Sequence, residues 1–245
     1  MLVQVLHSTW EMTCSTYRNG CDEHGSCVAD YDVVEGIVMA STSSSDLVAG
    51  STSVAAVVSI APDGGDVLHL LHCGDSRAVL AGKPREKAFE REKRISRQSF
   101  VHFSTRDHSP SCDNEAERLR RGIEAGFDYT LPECSLSRWW LTVGDYQYAV
   151  SRSLEGNVAT SKGIVSDADL TSIELPDVLA EREHVTLVLA SDGLFEVIDN
   201  EEVSRELVTM REAGFSATDA AKNLVGLAMK KGTSDNVSVV VIYFN

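Results

Sequence analysis

The chain has 245 residues, 43% of them hydrophobic, and carries 37 acidic against 22 basic side chains, a net charge of −15. That length and apolar content can bury a full core in one large domain, while the charge gives no electrostatic basis for nucleic acid or anionic membrane as a partner and suits divalent cations instead. No stretch approaches 18 consecutive apolar residues, and Met1 to Trp10 lacks the charged-then-apolar pattern of a secretory signal.

These features predict a soluble monomer of the cytoplasm, the nucleus or both. The six cysteines, Cys14, Cys21, Cys27, Cys73, Cys112 and Cys134, are scattered without a dense framework, so reduced thiols are expected. Residues 1–46 show little strand or helix periodicity, and Ser41 to Ser45 reads as a polar loop. Cys21, His24 and Cys27 stand at C-x2-H-x2-C spacing with Cys14 seven residues earlier, which allows a zinc-stabilised module. The alternative is a turn in which Asp22 and His24 approach one ligand.

From Gly50 the pattern is β. Val54 to Ile60, Val67 to Cys73 and Arg77 to Leu80 are predicted strands, punctuated by Pro62-Asp63-Gly64-Gly65 and by Gly74-Asp75, and the short connections predict antiparallel neighbours. Residues 82–97 hold most of the local positive charge. They read as a solvated loop or helix, or as a docking patch for an acidic partner. A short strand closing at Thr105 to Pro110 leads to a helix capped by Asp113, with Ala116, Leu119 and Ile123 on one face and Gly126 at its end. Trp139 to Val143 and Tyr146 to Val150 form the arms of a hairpin, the tryptophans reading as core or sheet-face residues. Val185 to Ala190 is a buried strand. A helix starts near Asp199, with Glu202 completing a capping box; a second runs from Ser216 to Lys231. Val237 to Phe244, apolar at nearly every position, predicts a strand buried on both faces.

Leu187-Val188-Leu189-Ala190 stops abruptly at Ser191-Asp192-Gly193, so Asp192 is delivered by the end of a rigid strand. The plain alternative is an Asp-Gly turn. Asp22, Asp192 and Asp235 each lie in a tight polar turn and are expected to converge at one sheet edge, where carboxylate oxygens suit Mg2+ or Mn2+.

Asp22-Glu23-His24-Gly25, Gly50-Ser51-Thr52, Gly74-Asp75-Ser76-Arg77-Ala78-Val79-Leu80, Asp107-His108-Ser109-Pro110, Val150-Ser151-Arg152-Ser153, Ala190-Ser191-Asp192-Gly193-Leu194-Phe195-Glu196-Val197 and Ser234-Asp235-Asn236-Val237-Ser238-Val239 follow one another in the order and spacing of a known family. The chain resembles the metal-dependent protein phosphatases of type 2C over about residues 20–244. The resemblance implies an α+β fold, a four-layer αββα sandwich of two antiparallel sheets flanked by helices, as one phosphatase-like domain over residues 1–245 with a divergent part at 1–46. It implies hydrolysis of phosphoserine and phosphothreonine on a phosphoprotein substrate through a metal-bridged hydroxide at a two-ion Mg2+ or Mn2+ site. By motif, Asp22 is the bridging ligand, Glu23 offers its backbone carbonyl, and Asp192 and Asp235 bind the first ion. His24 is the general acid, and Asp107 joins Asp192 at a weaker third ion. Glu23 stands where the family carries glycine, and Glu155-Gly156 where it carries Gly-Asp. Only 21 residues precede Asp22, too few for the family's upstream strand with its phosphate-binding arginine and acidic ligand. A catalytically silent, protein-binding member is therefore the alternative expectation.

Overall fold

Apolar, β-branched runs cut by turn residues set most of the strands, and capped amphipathic segments set the helices. The structure, a computed structural model, describes residues 2–19, 30–34, 37–41, 50–62, 64–85, 99–126, 140–143, 146–155 and 163–245. In chain order the elements are α1 (Leu2–Asn19), β1 (Asp30–Val34), β2 (Ile37–Ser41), β3 (Gly50–Ser51), β4 (Ser53–Ile60), β5 (Asp66–Cys73), β6 (Arg77–Pro84) and β7 (Val101–Ser104). They continue with α2 (Asp113–Glu124), β8 (Leu141–Val143), β9 (Tyr146–Tyr148), β10 (Leu154–Glu155), β11 (Asp169–Glu174), α3 (Leu175–Glu181), β12 (Arg182–Ala190), α4 (Asp192–Phe195), α5 (Asn200–Glu212), α6 (Ala217–Lys231) and β13 (Val239–Tyr243). They group into two compact units, Met1–Ser53 with Asp107–Ala168, and Val54–Arg106 with Asp169–Asn245.

In the first unit, α1 corrects the expectation of an irregular start. Most of its side chains face water, which hid it from a periodicity reading. It is tied down by two of them: the Trp10 indole N–H donates to the Ser166 carbonyl at 2.6 Å, and the buried Cys14 thiol lies 3.8 Å from the same oxygen. α2 buries Ala116 and Leu119 as expected, but Ile123 is 42% exposed, and the buried acidic residue Glu115 takes a place on the inner face. Asp113 is the first helical residue instead of the cap; the N-cap position falls to Cys112, without a side-chain hydrogen bond. Gly126 follows the helix with φ +95°, a conformation glycine adopts freely. Leu119, Leu141 and Ile164 form a small core with Tyr148. Trp140 is 39% exposed at the mouth of the β8–β9 hairpin, so it is not a core residue.

The second unit holds two sheets, β11-β5-β4 and β13-β12-β6-β7. β5 and β6 were expected to pair, but they lie in different sheets. Gly74, at φ +110°, turns the corner that carries the chain from one sheet to the other. Leu68 and Leu70 of β5 share one apolar cluster with Ala78 and Leu80 of β6 and Val185 and Leu187 of β12, which makes the two sheets a sandwich. The other face of β6 and β12, at Val79, Val188 and Ala190, packs against Leu194, Val203, Leu207, Leu224 and Ala228 of the helical layer. β12 is thus apolar on both sides because both sides are covered. Each fully buried leucine contributes about 1.5–3 kcal/mol to that arrangement.

The Asp199 cap and the Gly232 stop expected from the sequence are present, and Ser216 caps the second helix of the layer instead of lying within it. The Asp199 side chain accepts from the Glu202 N–H, the Ser216 hydroxyl from the Asp219 N–H, and Gly232, at φ +86°, closes α6. β13 departs from expectation. It is an edge strand among the described ones, and its exposure alternates, with Val240 54% exposed. Five apolar residues in a row cannot tell a central strand from an edge, because that is decided by which strands lie beside it.

Candidate metal centre

Strand registers bring the chemistry to one end of the four-stranded sheet. Ala190 at the end of β12 faces Arg77 on β6 and Val239 on β13, so the Ser191–Gly193 turn, the start of β6 and the turn before β13 adjoin one another. Asp192 opens the short helix α4, with Ser191 extended as its N-cap. One helical turn on, the Glu196 N–H donates to the Asp192 carbonyl at 2.9 Å, which sets both carboxylates on one side of the turn.

Asp235 arrives from the other turn. Its backbone N–H donates to the Thr233 hydroxyl at 3.3 Å, and its carboxylate accepts from the Asn236 N–H at 2.6 Å. Ser191 laces the two turns together: its N–H donates to the Ser238 carbonyl, its hydroxyl donates to the Asn236 carbonyl, and that hydroxyl accepts from the Ser238 N–H, each at 3.0 Å. Gly193 makes the closeness possible. A Cβ on this residue would stand 2.4 Å from the Asn236 carbonyl oxygen and 3.3 Å from the Asp235 Cβ.

The outcome is a group of three carboxylates, Asp192, Glu196 and Asp235, with one oxygen of each within 4.8 Å of the others. Bare carboxylates at that separation repel by on the order of 1 kcal/mol per pair in water. A divalent cation would convert the repulsion into attraction. The donors are all hard oxygens, with neither thiol nor imidazole among them, so the group fits Mg2+ or Mn2+ and not a thiolate-held zinc.

Arg77 braces this end. Its guanidinium donates to the Asn200 side-chain oxygen at 2.7 Å and lies 4.5 Å from the centre of the Phe195 ring, fixing α4 and the start of α5 to the corner between the sheets.

The expected convergence of Asp192 and Asp235 is therefore present. Glu196 is the member that sequence reasoning missed, although its i, i+4 relation to Asp192 was a usable signal. Asp22, Glu23 and His24 lie outside the described residues, as do Cys21 and Cys27 of the zinc reading and residues 86–98 of the basic stretch. Asp107 belongs to the first unit, beside the buried His108, whose carbonyl accepts from the Ser151 N–H at 2.8 Å.

The Ser151-Arg152-Ser153 motif serves that first unit. Glu115, 2% exposed, accepts from the Ser151 hydroxyl at 2.6 Å, from Arg118 at 3.0 Å and from Arg152 at 2.5 Å. Burial alone would raise the Glu115 carboxyl; hydrogen bonds from Arg152 and Ser151 and the charges of both arginines outweigh it and hold the pKa at about 2.

The helix-flanked sandwich of antiparallel sheets thus gathers three carboxylates at one strand end, a setting that can hold a divalent cation. The sequence model described as Protein phosphatase 2C matches residues 31–237, and the chain belongs to that family. It is 31% identical over 214 residues to the probable protein phosphatase 2C 69 of Arabidopsis thaliana, covering 87% of this chain and 49% of that protein. With protein phosphatase 1B of Homo sapiens it shares 27% identity over 197 residues, 80% of this chain and 35% of that one. The chain thus spans about a third to a half of the length of these relatives. Among solved structures, a serine-threonine phosphatase 2C from Toxoplasma gondii shares the fold with a TM-score of 0.57 at 21% identity, over 79% of this chain and 58% of that one.

Proposed function

We propose that this chain hydrolyses phosphoserine and phosphothreonine on proteins with the help of Mg2+ or Mn2+. The observation that carries the reading is the Asp192, Glu196 and Asp235 group at the end of β12, in a member of the protein phosphatase 2C family. A divalent cation held there would supply Lewis acidity, offsetting phosphate charge and making water a nucleophile near neutral pH. The chain's own part is to hold three carboxylates in one place. Ser191 and Gly193 set the distance between the turn that bears Asp192 and the turn that bears Asp235, so the ligands are placed before any ion arrives.

The remaining roles enter the proposal from motif position. Asp22 and the Glu23 carbonyl complete a two-ion site, His24 gives its proton to the leaving oxygen so that no bare alkoxide departs, and Asp107 takes part in a weaker third site. The same reading makes the protein a monomer of the cytoplasm or nucleus. Among the described residues no helix is long and apolar enough to cross a membrane.

Phosphate release from a phosphothreonine peptide, measured with Mn2+ or Mg2+, tests the proposal. Turnover is expected to need the metal, to stop with chelator and to vanish in Asp192→Ala. A folded protein that shows no turnover at millimolar Mn2+ sinks it.

A further inference from the structure

The helical layer carries a second surface feature, away from the carboxylates. α5, α6 and the link between them enclose a groove of about 330 Å3 whose floor is Met210, Leu224 and Leu227 and whose end is Phe215, 43% exposed. An aromatic ring left half in water beside an apolar floor is the usual composition of a binding anchor site.

Two further properties of α6 narrow the occupant. Lys222, Gly226 and Lys230, spaced i, i+4 and i+8, line one face, which places the two ammonium-bearing residues about 12 Å apart along the helix. Neither lysine has an ion-pair partner among the described residues, whereas Lys83 and Lys231 pair with Glu212 and Glu202 at 2.6 Å. In a chain of net charge −15, two unpaired lysines on one groove wall are a local exception.

Gly226 is the other property. It has no left-handed backbone, and a Cβ built on it would meet nothing within 4 Å. The intramolecular fold therefore gives no reason for a residue that weakens a helix interior relative to alanine. Open space above a bare stretch of helix backbone, between two cations, lets a second helix approach closely.

We propose that the α5–α6 groove docks an acidic amphipathic helix of a partner protein. Leucine or phenylalanine of the partner fills the floor beside Phe215, and two carboxylates, two turns apart, meet Lys222 and Lys230. Glu206, on the α5 wall of the groove, orients the partner by repelling its acidic side. The proposal is independent of the phosphatase reading.

The probe is a fluorescein-labelled helical peptide with leucines four residues apart and glutamates two turns apart, titrated into the full chain and followed by anisotropy. Saturable binding is expected, weakened at least about tenfold by Lys222→Glu with Lys230→Glu and by added salt. Gly226→Leu is expected to abolish binding by filling the space, while Gly226→Ala keeps the fold and weakens binding less. Circular dichroism and phosphate release should be unchanged in all of these variants. No saturable binding up to about 1 mM peptide, or binding indifferent to these substitutions, overturns the proposal. So does preference for phosphatidylserine vesicles over the peptide, or self-association of the chain lost through the lysine substitutions without any peptide binding.

Discussion

Replacing Gly193 with alanine adds one methyl group at the point where the two ligand-bearing turns touch. The new Cβ would stand 2.4 Å from the Asn236 carbonyl oxygen and 3.1 Å from its carbon. Both are backbone atoms, so relief requires the turns to separate. Three hydrogen bonds of 3.0 Å, all made by Ser191, resist that separation. Overpacking of this kind costs typically 1–3 kcal/mol, and each strained hydrogen bond adds part of its net 0.5–1.5 kcal/mol. A loss of about 2 kcal/mol corresponds to a fall in Tm of roughly 4–8 °C for a chain of this length. The same movement carries Asp235 away from Asp192 and Glu196. Mn2+ affinity, measured by calorimetric titration, should fall by at least about tenfold, equivalent to about 1.4 kcal/mol. Ser191→Ala, which removes the lacing hydroxyl without adding bulk, should move both readouts the same way by a smaller amount. A Gly193→Ala protein with unchanged Tm and unchanged Mn2+ affinity would refute the claim that the close approach of the turns positions the ligands.

Glu196→Gln should separate charge from structure: the metal-free protein melts at the same temperature or slightly higher because repulsion with Asp192 and Asp235 is relieved, while the stabilisation gained on adding Mn2+ shrinks. A Mn2+-induced rise in Tm equal to that of the unchanged chain counts against Glu196 as a ligand. Glu115→Gln removes the charge that two arginines and Ser151 surround. The folded carboxyl sits at about 2 against an ordinary 4.5, a difference of about 3 kcal/mol. Because the folded value is the lower one, this contribution is fully present above about pH 4.5 and is lost as pH falls towards 2. Urea unfolding of the two proteins should therefore differ by about 3 kcal/mol at pH 7 and converge in acid. A difference that stays constant from pH 7 to pH 3 would contradict the assignment.

Asp192 and Asp235 were legible in the sequence because each abuts an apolar strand, and a strand is a rigid pointer whose end can be counted. Glu196 was missed because its i, i+4 spacing from Asp192 becomes a signal only once Asp192 is read as opening a helical turn instead of a loop. The corner at Gly74 shows a similar limit: a two-residue gap between apolar runs reads as a hairpin, whereas φ +110° there sends the chain to another sheet. α1 escaped notice because most of its described side chains face water and its attachment depends on Trp10 and Cys14 reaching Ser166, more than 150 residues away. Glu115 drew no reading from the sequence. Only the folded chain brings Arg152 and Ser151 to it, and long-range partners of that kind leave no local trace.

The strand that follows Asp235 also has a bearing on handling the protein. Val239 to Tyr243 contain no lysine, proline or bulge of the kind that ordinarily blunts the rim of a sheet. Among the described strands this rim has no neighbour on its outer side, and a rim without such guards can pair with a further strand. A lysine in place of Val240, which already faces water, would guard the rim and leave the carboxylate cluster untouched.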